Sequence, residues 1–215
     1  MRPYRTVMEK YSRQARSYDQ RWNRSFGHAT LQAAVEAVPW KSLKRVLDVG
    51  CGTGLLEETV RSHLHSPIRV IGVDISLAML QHAQQKLLTA DRISWTNAQA
   101  EHLPFSNGSF DAVVCANSFH YYRQPLPVLK EFRRVLRPGG CLVLADWCDD
   151  FLICKLGHWA LRLADRARLH RYALKRCYSM KQFSELLTMA GFRIVSGRRL
   201  EIDWGWGVMV YNALA

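Results

Sequence analysis

The sequence predicts an α/β fold in which seven strands form one mostly parallel sheet with helices on both faces. Strand-like and helix-like segments alternate along the 215 residues. Several strand segments, including 45–49 and 110–115, are apolar almost throughout, which is typical of strands buried on both faces of a sheet. The last two strands, 192–197 and 205–211, are joined by too few residues for a parallel crossover. We therefore expect the sheet to end with an antiparallel strand.

Local sequence signals predict each helix and strand in the first half of the chain. In order, we predict two helices within 5–38 that break near 25–27, a strand at 45–49, a helix from 55 to about 63, a strand at 69–73, a helix after 76 and a strand at 93–95. Ser76 is a good N-cap residue. Met79, Leu80 and Ala83 then follow at the spacing of one helix face.

The second half begins with the strand at 110–115. In order, the further predictions are a helix over 128–136, a strand at 141–145, a helix over 152–163, a helix after 179 and the two closing strands. The glycines and proline at 138–140 should end the first of these helices. Ser179 and Gln182 form a capping box for the last helix. Leu152, Leu156 and Leu163 share one helix face, which we expect to be buried with the arginines in water.

The composition is that of a globular domain, with 48% apolar and 22% charged residues. No apolar run reaches 18 residues, which argues against a transmembrane helix. The first ten residues carry charges and lack the apolar stretch of a secretory signal. The six cysteines show no zinc-ligand spacing. We expect them to be reduced apolar side chains in a cytoplasmic protein.

The formal net charge of +12 lies in two flanking segments. Residues 1–45 carry ten basic and three acidic side chains, and residues 151–200 carry eleven basic and two acidic ones. Such flanks suit an acidic substrate, an anionic membrane surface in weak contact, or nucleic acid. A solvated basic surface explains them equally well, so charge alone leaves the partner open.

A glycine-rich turn follows the first strand directly. Gly50, Gly52 and Gly54 let the backbone turn sharply and lie against a ligand at the start of a helix. A dinucleotide fingerprint would have a third glycine where this chain has Leu55, which argues against an NAD-dependent oxidoreductase. Asp74, at the end of the second strand, is placed to accept both hydroxyls of a ribose, or simply to cap the next helix.

Five linked segments resemble the successive motifs of class I S-adenosylmethionine-dependent methyltransferases. They are residues 46–54, 70–76, 100–105, 110–114 and 134–140. The resemblance is strongest to the small-molecule branch that contains the ubiquinone and menaquinone biosynthesis methyltransferases. It implies a Rossmann-like domain over 1–215, divided into N-terminal helices (1–43), a cofactor-binding core (44–147), a variable helical cap (148–180) and a closing helix with two strands (181–215).

The resemblance also implies a cofactor, S-adenosylmethionine, with S-adenosylhomocysteine as its product. The residues that it assigns to cofactor binding are Asp48, Gly50, Cys51, Gly52, Asp74, Ile75, Met79, Gln99, Ala100 and Asn117. In this assignment Asp48 orients the methionine end, Asp74 binds the ribose and Ile75 flanks the adenine. Many relatives have an aspartate where this chain has Gln99, whose oxygen still accepts a hydrogen bond but carries no charge. The N-terminal Tyr11, Tyr18 and Arg21 resemble a leading helix that covers the cofactor.

His120 is the candidate for proton chemistry, because it follows the fourth strand and a neutral imidazole accepts a proton. A packing role is the alternative, as is common in the family. Asp146, Asp149 and Asp150 follow the fifth strand, but no matching ligand follows the fourth. We therefore expect loop and capping roles for these aspartates and no metal.

The leading functional hypothesis is methyl transfer to a small-molecule acceptor by in-line displacement. A nucleic-acid methyltransferase is the first alternative, but residues 117–120 lack the proline pair common after the fourth strand of amino-methylating enzymes. A non-catalytic cofactor-binding protein is the second alternative.

Overall fold

The computed structural model describes residues 4–21, 27–63, 68–88, 91–166 and 176–215. Seven strands form one sheet in the order β3-β2-β1-β4-β5-β7-β6. Their bounds are β1 Arg45–Val49, β2 Arg69–Asp74, β3 Ile93–Asn97, β4 Phe110–Ala116, β5 Leu136–Trp147, β6 Arg193–Asp203 and β7 Trp206–Leu214. The first five strands pair in parallel, and β7 pairs antiparallel with both β5 and β6. The predicted fold class is confirmed.

The described helices begin and end close to their predicted positions. They are α1 Arg5–Gln14, α2 Tyr18–Arg21, α3 His28–Ala37, α4 Leu55–His63, α5 Leu77–Lys86, α6 Pro125–Val135, α7 Leu152–Arg166 and α8 Met180–Met189. The capping box of α8 forms as expected, with Ser179 and Gln182 bonding each other's backbone amides. The predicted N-terminal break near 25–27 lies largely outside the described residues. The first predicted helix is itself divided by a 3-10 turn between α1 and α2.

Helices cover the sheet on both faces because the central strands are buried on both sides. Along β1, Leu47 contributes to the core formed with α6 and α8. Its neighbour Val46 contributes to the core formed with α3 and α4. This alternation follows from the two-residue repeat of a strand. The parallel strands consequently present their carboxyl ends, and the loops that follow them, along one open edge.

The junction between α6 and β5 differs from the prediction. The helix ends at Val135 and the strand begins at Leu136, before the proline and glycines at 138–140. The α conformation is disfavoured for the residue before a proline, so Arg137 does not continue the helix. Leu136 instead pairs with Phe110, and the register shifts before the next pair.

Helix α7 exposes the face that we expected it to bury. Leu152, Leu156 and Leu163 are between 53% and 64% exposed. The neighbouring face of the helix makes the packing contacts: Cys154 is buried, and its thiol donates to the Gly207 carbonyl of β7 at 3.5 Å. The hydrophobic repeat identified the helix correctly, but the hairpin takes the neighbouring face.

All six cysteines belong to the described residues, and each is buried and free of disulfide bonds. Burial raises the pKa of the thiols of Cys115, Cys141 and Cys148. They are therefore protonated and fill the core as small apolar groups, as the sequence analysis expected. Within the described ranges, none of the helices has the length and apolar character that crossing a bilayer requires.

Asp111 joins the beginnings of β1 and β4. One carboxylate oxygen accepts the amides of Lys44 (2.6 Å) and Arg45 (2.7 Å), and the other contacts the Arg137 guanidinium at 2.9 Å. Burial alone would raise the pKa of Asp111, but the two amides and Arg137 outweigh it and hold the pKa below 3.8. The ionised carboxylate therefore stabilises the folded state.

We predict that Asp111→Ala lowers the free energy of unfolding at pH 7 by about 2 kcal/mol, because two amides lose their acceptor. A folded-state pKa below the unfolded one gives stability that is present above pH 4 and is lost as the pH falls through the folded value. The difference between variant and wild type in urea unfolding should thus be constant from pH 7 to 5 and shrink below pH 4. The exposed Asp91→Ala is the matched control, and an equal loss in that variant would contradict the account.

Candidate functional site

The glycine loop between β1 and α4 is held against the end of β2. The amides of Gly50 and Cys51 both donate to the carbonyl of Val73, at 2.7 and 3.1 Å. Gly50, Gly52 and Gly54 have φ values of 81°, 56° and 75°. Only glycine adopts this left-handed region readily, so the three glycines make the turn possible.

Asp74 completes this connection with its side chain. One oxygen accepts the amide of Gly52 at 3.0 Å, and the other accepts the amide of Ser76 at 2.7 Å. The hydroxyl of Ser76 in turn accepts the amide of Met79, which caps α5. Burial raises the pKa of Asp74, and the amides of Ser76 and Gly52 oppose that shift. Asp74 therefore does help to cap α5, as considered above. It also lines a cavity.

The cavity lies along the carboxyl ends of β1, β2 and β4 and encloses about 700 Å³. Most of the residues predicted to bind a cofactor line it. They are Gly50, Gly52, Asp74, Ile75, Met79, Gln99, Ala100 and Asn117. Cys51 and Asp48 are buried in the loop and at the end of β1, and neither lines the cavity. The parallel sheet therefore brings together residues from four separate loops.

Helix α1 and the residue before it cover the cavity. Tyr4, Val7, Met8 and Tyr11 all line it. The Tyr4 hydroxyl donates to Glu101, and the hydroxyls of Tyr11 and Tyr121 lie 2.6 Å apart. The sequence analysis named Tyr11 but overlooked the others. Their spacing of three, four and seven residues was the available signal, since it marks one face of a helix.

Helix α2 is fastened to the same region through Asp19. Its carboxylate accepts a hydrogen bond from the Thr53 hydroxyl at 2.5 Å and pairs with Lys86 at 3.1 Å. Tyr18, the first residue of α2, also lines the cavity. The N-terminal helices therefore form a cover that is tied to the glycine loop and to α5.

Two acids are buried beneath the glycine loop. Burial, together with the charge of Asp74, raises the pKa of Asp48 to about 8. Glu57 on α4 is fully buried, and neither of its carboxylate oxygens has a hydrogen-bond partner among the described residues. Burial, reinforced by Asp48, raises the pKa of Glu57 well above its usual value. Both acids therefore hold a proton more readily than an exposed carboxyl group does.

His120 lies behind the cavity wall. Its backbone amide and its Nδ1 atom both contact the carboxylate of Asp146, at 3.0 and 2.7 Å. The residue is 4% exposed, and its ring lies 4.0 Å from that of Tyr121, which does line the cavity. The structure thus shows His120 in contact with Asp146 and separated from the cavity by Tyr121.

The three aspartates, Asp146 near the end of β5 and Asp149 and Asp150 after it, have separate surroundings. Asp146 holds His120, Asp149 lies 3.4 Å from Nδ1 of His158, and Asp150 accepts the amide of Met180 at 2.9 Å. No group of three or more metal-ligating side chains was found among the described residues.

Comparison with known proteins identifies the family. A family described as "Methyltransferase domain" matches residues 46–140. The demethylmenaquinone methyltransferase of Lactiplantibacillus plantarum is 32% identical over 171 residues, which cover 72% of each chain. The 27-O-demethylrifamycin SV methyltransferase of Amycolatopsis mediterranei is 32% identical over 147 residues, which cover 60% of this chain and 53% of that protein. The chain thus spans about half the length of some curated relatives.

Solved structures share the fold over nearly the whole chain. A Haloferax volcanii methyltransferase, solved in complex with the Trm112 activator, has a TM-score of 0.78 at 20% identity and covers 95% of this chain and 97% of its own. A Burkholderia thailandensis 1,6-didemethyltoxoflavin-N1-methyltransferase with bound S-adenosylhomocysteine has a TM-score of 0.72 at 16% identity, over 98% and 87% of the two chains. The fold and the site define a methyltransferase of class I. This chain belongs to the S-adenosylmethionine-dependent methyltransferase family, and its cofactor is S-adenosylmethionine.

We predict that Glu57→Gln stabilises the protein increasingly as the pH rises above about 4.5. A folded-state pKa above the unfolded one gives stability that is present at low pH and is lost as the pH rises through the folded value. The neutral amide removes that loss. Chemical denaturation between pH 5 and 9 measures it, with the neighbouring half-exposed Glu58→Gln as the matched control. Parallel pH profiles of wild type and Glu57→Gln would contradict burial of an acid at this position.

Proposed function

We propose that this chain transfers the methyl group of S-adenosylmethionine to a small-molecule acceptor, with the cofactor held in the cavity beneath α1. The proposal rests on the meeting of several loops at one site. Residues from the loops after β1, β2, β3 and β4 meet at one cavity, with the Asp74 carboxylate in its wall. Curated relatives named for small-molecule acceptors support the choice of substrate class.

The cavity residues suit the parts of this cofactor. The Asp74 oxygens suit the two ribose hydroxyls, and Ile75 and Met79 offer apolar contacts to the two sides of the adenine. Gln99 and the amide of Ala100 suit the adenine edge. These assignments match hydrogen-bond donors to acceptors and apolar surface to apolar surface.

The backbone of the glycine loop is suited to the methionine end of the cofactor. The Cβ of a larger residue at Gly52, which has φ of 56°, would lie in a strained conformation 3.6 Å from Met79. Asp48, buried just beneath, would act on the amino group through water. Cys51 lies between these residues, and we assign it a backbone contact only.

When bound, the cofactor supplies a methyl group that is already activated by the positive charge of its sulfonium. The protein therefore contributes mainly orientation and exclusion of water. Tyr11, Tyr18 and Tyr121 line the cavity at its cover. Asn117 follows β4 directly and has φ of 53°, a conformation that asparagine tolerates better than most residues. We assign it to the wall beside the point of transfer.

We assign His120 the role of a positioning residue, with its imidazole holding the turn at 119–121 in place through Asp146. A catalytic base is the alternative. The buried contact with Asp146 and the absence of His120 from the described cavity wall support the positioning role.

Nucleic acid as the acceptor is the weaker candidate. The basic flanks favour it, and one structural neighbour was solved with the Trm112 activator. At 20% identity, however, that likeness concerns the fold alone. A salt-sensitive complex with RNA would support nucleic acid, whereas labelled methyl transfer to a small molecule would support the main proposal.

We predict that Asp74→Ala weakens binding of S-adenosylhomocysteine by about 2–3 kcal/mol, because two hydroxyls lose a charged acceptor. Isothermal titration calorimetry measures this loss. Asp74→Asn, which keeps one acceptor oxygen, should lie between Ala and wild type, and the exposed Asp91→Ala should equal wild type. Thermal shift should show stabilisation by S-adenosylhomocysteine and none by NADH. If the folded Asp74→Ala variant binds S-adenosylhomocysteine with unchanged affinity, Asp74 does not bind the ribose and acts only as a helix cap.

We predict that His120→Ala lowers the free energy of unfolding by about 2–4 kcal/mol, because the buried Asp146 carboxylate loses the imidazole and keeps only the backbone amides of residues 120 and 147. The double variant His120→Ala/Asp146→Ala should recover part of this loss. Turnover per folded molecule should stay within about ten-fold of wild type and keep the same pH profile. A fall of 10²–10⁴-fold in kcat with cofactor affinity intact would instead make His120 the general base.

A further inference from the structure

An open groove lies between α7 and α8, beside the cofactor cavity. Its space, which opens to solvent, measures about 2140 Å³. Its walls are mostly apolar side chains. They are Leu152, Leu156, Trp159 and Leu163 from α7, with Leu186 and Met189 from α8. All but Leu186 expose more than half of their surface. Water therefore covers an apolar surface that is concave and bounded on two sides.

One part of the groove is polar and incompletely hydrogen-bonded. Three buried atoms there have no hydrogen-bond partner in the described part of the chain: Oδ1 of Asp149, Nε2 of His158 and the hydroxyl of Tyr178. Burial raises the pKa of Tyr178, and the charge and polar contact of the nearby Arg176 guanidinium oppose that rise. Leaving buried polar groups unpaired destabilises a protein, so a ligand that pairs them gains affinity.

The polar part is the one that lies beside the cofactor cavity. Asn117 follows β4 and lines the cavity, while Asp149 follows the neighbouring strand β5 and lines the groove. The turn at 119–121 lies between them. Tyr121 faces the cavity, and the His120 carbonyl accepts the amide of Arg176, a groove residue, at 3.3 Å. The apolar walls then continue along α7, away from the sheet.

We propose that this groove binds the methyl acceptor and that the acceptor is amphipathic, with a hydroxyl-bearing head at Asp149, His158 and Tyr178 and an apolar body between α7 and α8. The inference rests on the proposed function, since it assigns the acceptor of the same reaction. A head that donates to the carboxylate and accepts from the tyrosine would satisfy two of the three unpaired groups. The polar head would then face the cofactor side.

A lipid surface is the competing occupant, because α7 is apolar on one face and residues 151–200 are strongly basic. A bilayer would cover the rim leucines and Trp159. It would leave the three polar atoms unpaired, since they lie buried inside the groove. The unpaired atoms therefore favour a discrete molecule over a membrane.

The test uses 4-alkylphenols with four, six and eight tail carbons, titrated into the full chain with S-adenosylhomocysteine present. Affinity should rise about four-fold for each added CH₂ group that becomes buried. The methyl ether 4-hexylanisole, which cannot donate a hydrogen bond, should bind about ten-fold more weakly than 4-hexylphenol. No dependence on tail length, or equal affinity for the ether, would overturn the inference.

Two variants locate the binding. Tyr178→Phe keeps the ring that packs on Phe119 and Phe183 and removes only the unpaired hydroxyl, so the fold should remain intact. It should weaken 4-hexylphenol and 4-hexylanisole alike, about five-fold, because the oxygen of each compound accepts from the tyrosine hydroxyl. Leu156→Asn should weaken both compounds, whereas Leu88→Asn, on an exposed leucine that is not part of the groove, should weaken neither. Equal effects of the two leucine variants would overturn the assignment.

The remaining outcomes separate this inference from the proposed function. Binding of S-adenosylhomocysteine without any binding of alkylphenols would overturn the inference and leave the proposed function standing. If alkylphenols bind but S-adenosylhomocysteine does not, both the proposed function and the acceptor role of the groove are wrong. If anionic phosphatidylglycerol vesicles bind in a Leu156-dependent way and alkylphenols do not, the face is a membrane surface and the inference is wrong.

Discussion

The Asp74 carboxylate joins three parts of the molecule that would otherwise be independent. It accepts the Gly52 amide from the glycine loop and the Ser76 amide from the start of α5. The Val73 carbonyl beside it accepts two more amides of the same loop. The end of β2 therefore sets the position of the loop after β1 and of the helix after β2. The hydrogen bonds of Asp74 and Val73 therefore hold these walls of the cavity in place within the protein itself.

The same arrangement explains why the cover lies where it does. Helix α1 brings an apolar face to the cavity, and its neighbour α2 is fastened to the glycine loop through Asp19. Beneath the loop, Asp48 and Glu57 are acids that burial makes hard to ionise. A cofactor in the cavity would have an apolar and aromatic cover above it and the glycine loop below.

The parallel core and most of the cavity could be predicted from the sequence, because both depend on local patterns. Apolar strands, a glycine turn and an acid at the end of β2 each leave a signal within a few residues. The exposed face of α7 could not be predicted, since a repeat of apolar residues does not show which side a distant hairpin covers. The contact between His120 and Asp146 joins residues 26 positions apart and has no local signature. The unpaired atoms in the groove beside α7 likewise emerge only from tertiary packing.

The central claim is that the cavity between the glycine loop and α1 is the cofactor site. Hydrogen–deuterium exchange with and without S-adenosylhomocysteine tests it most directly, because exchange reports which amides a ligand protects. The account predicts slower exchange at residues 50–54, 74–79 and 98–101 and along α1, with little change in β6. Protection confined to the groove between α7 and α8, or no protection at the glycine loop, would contradict the account.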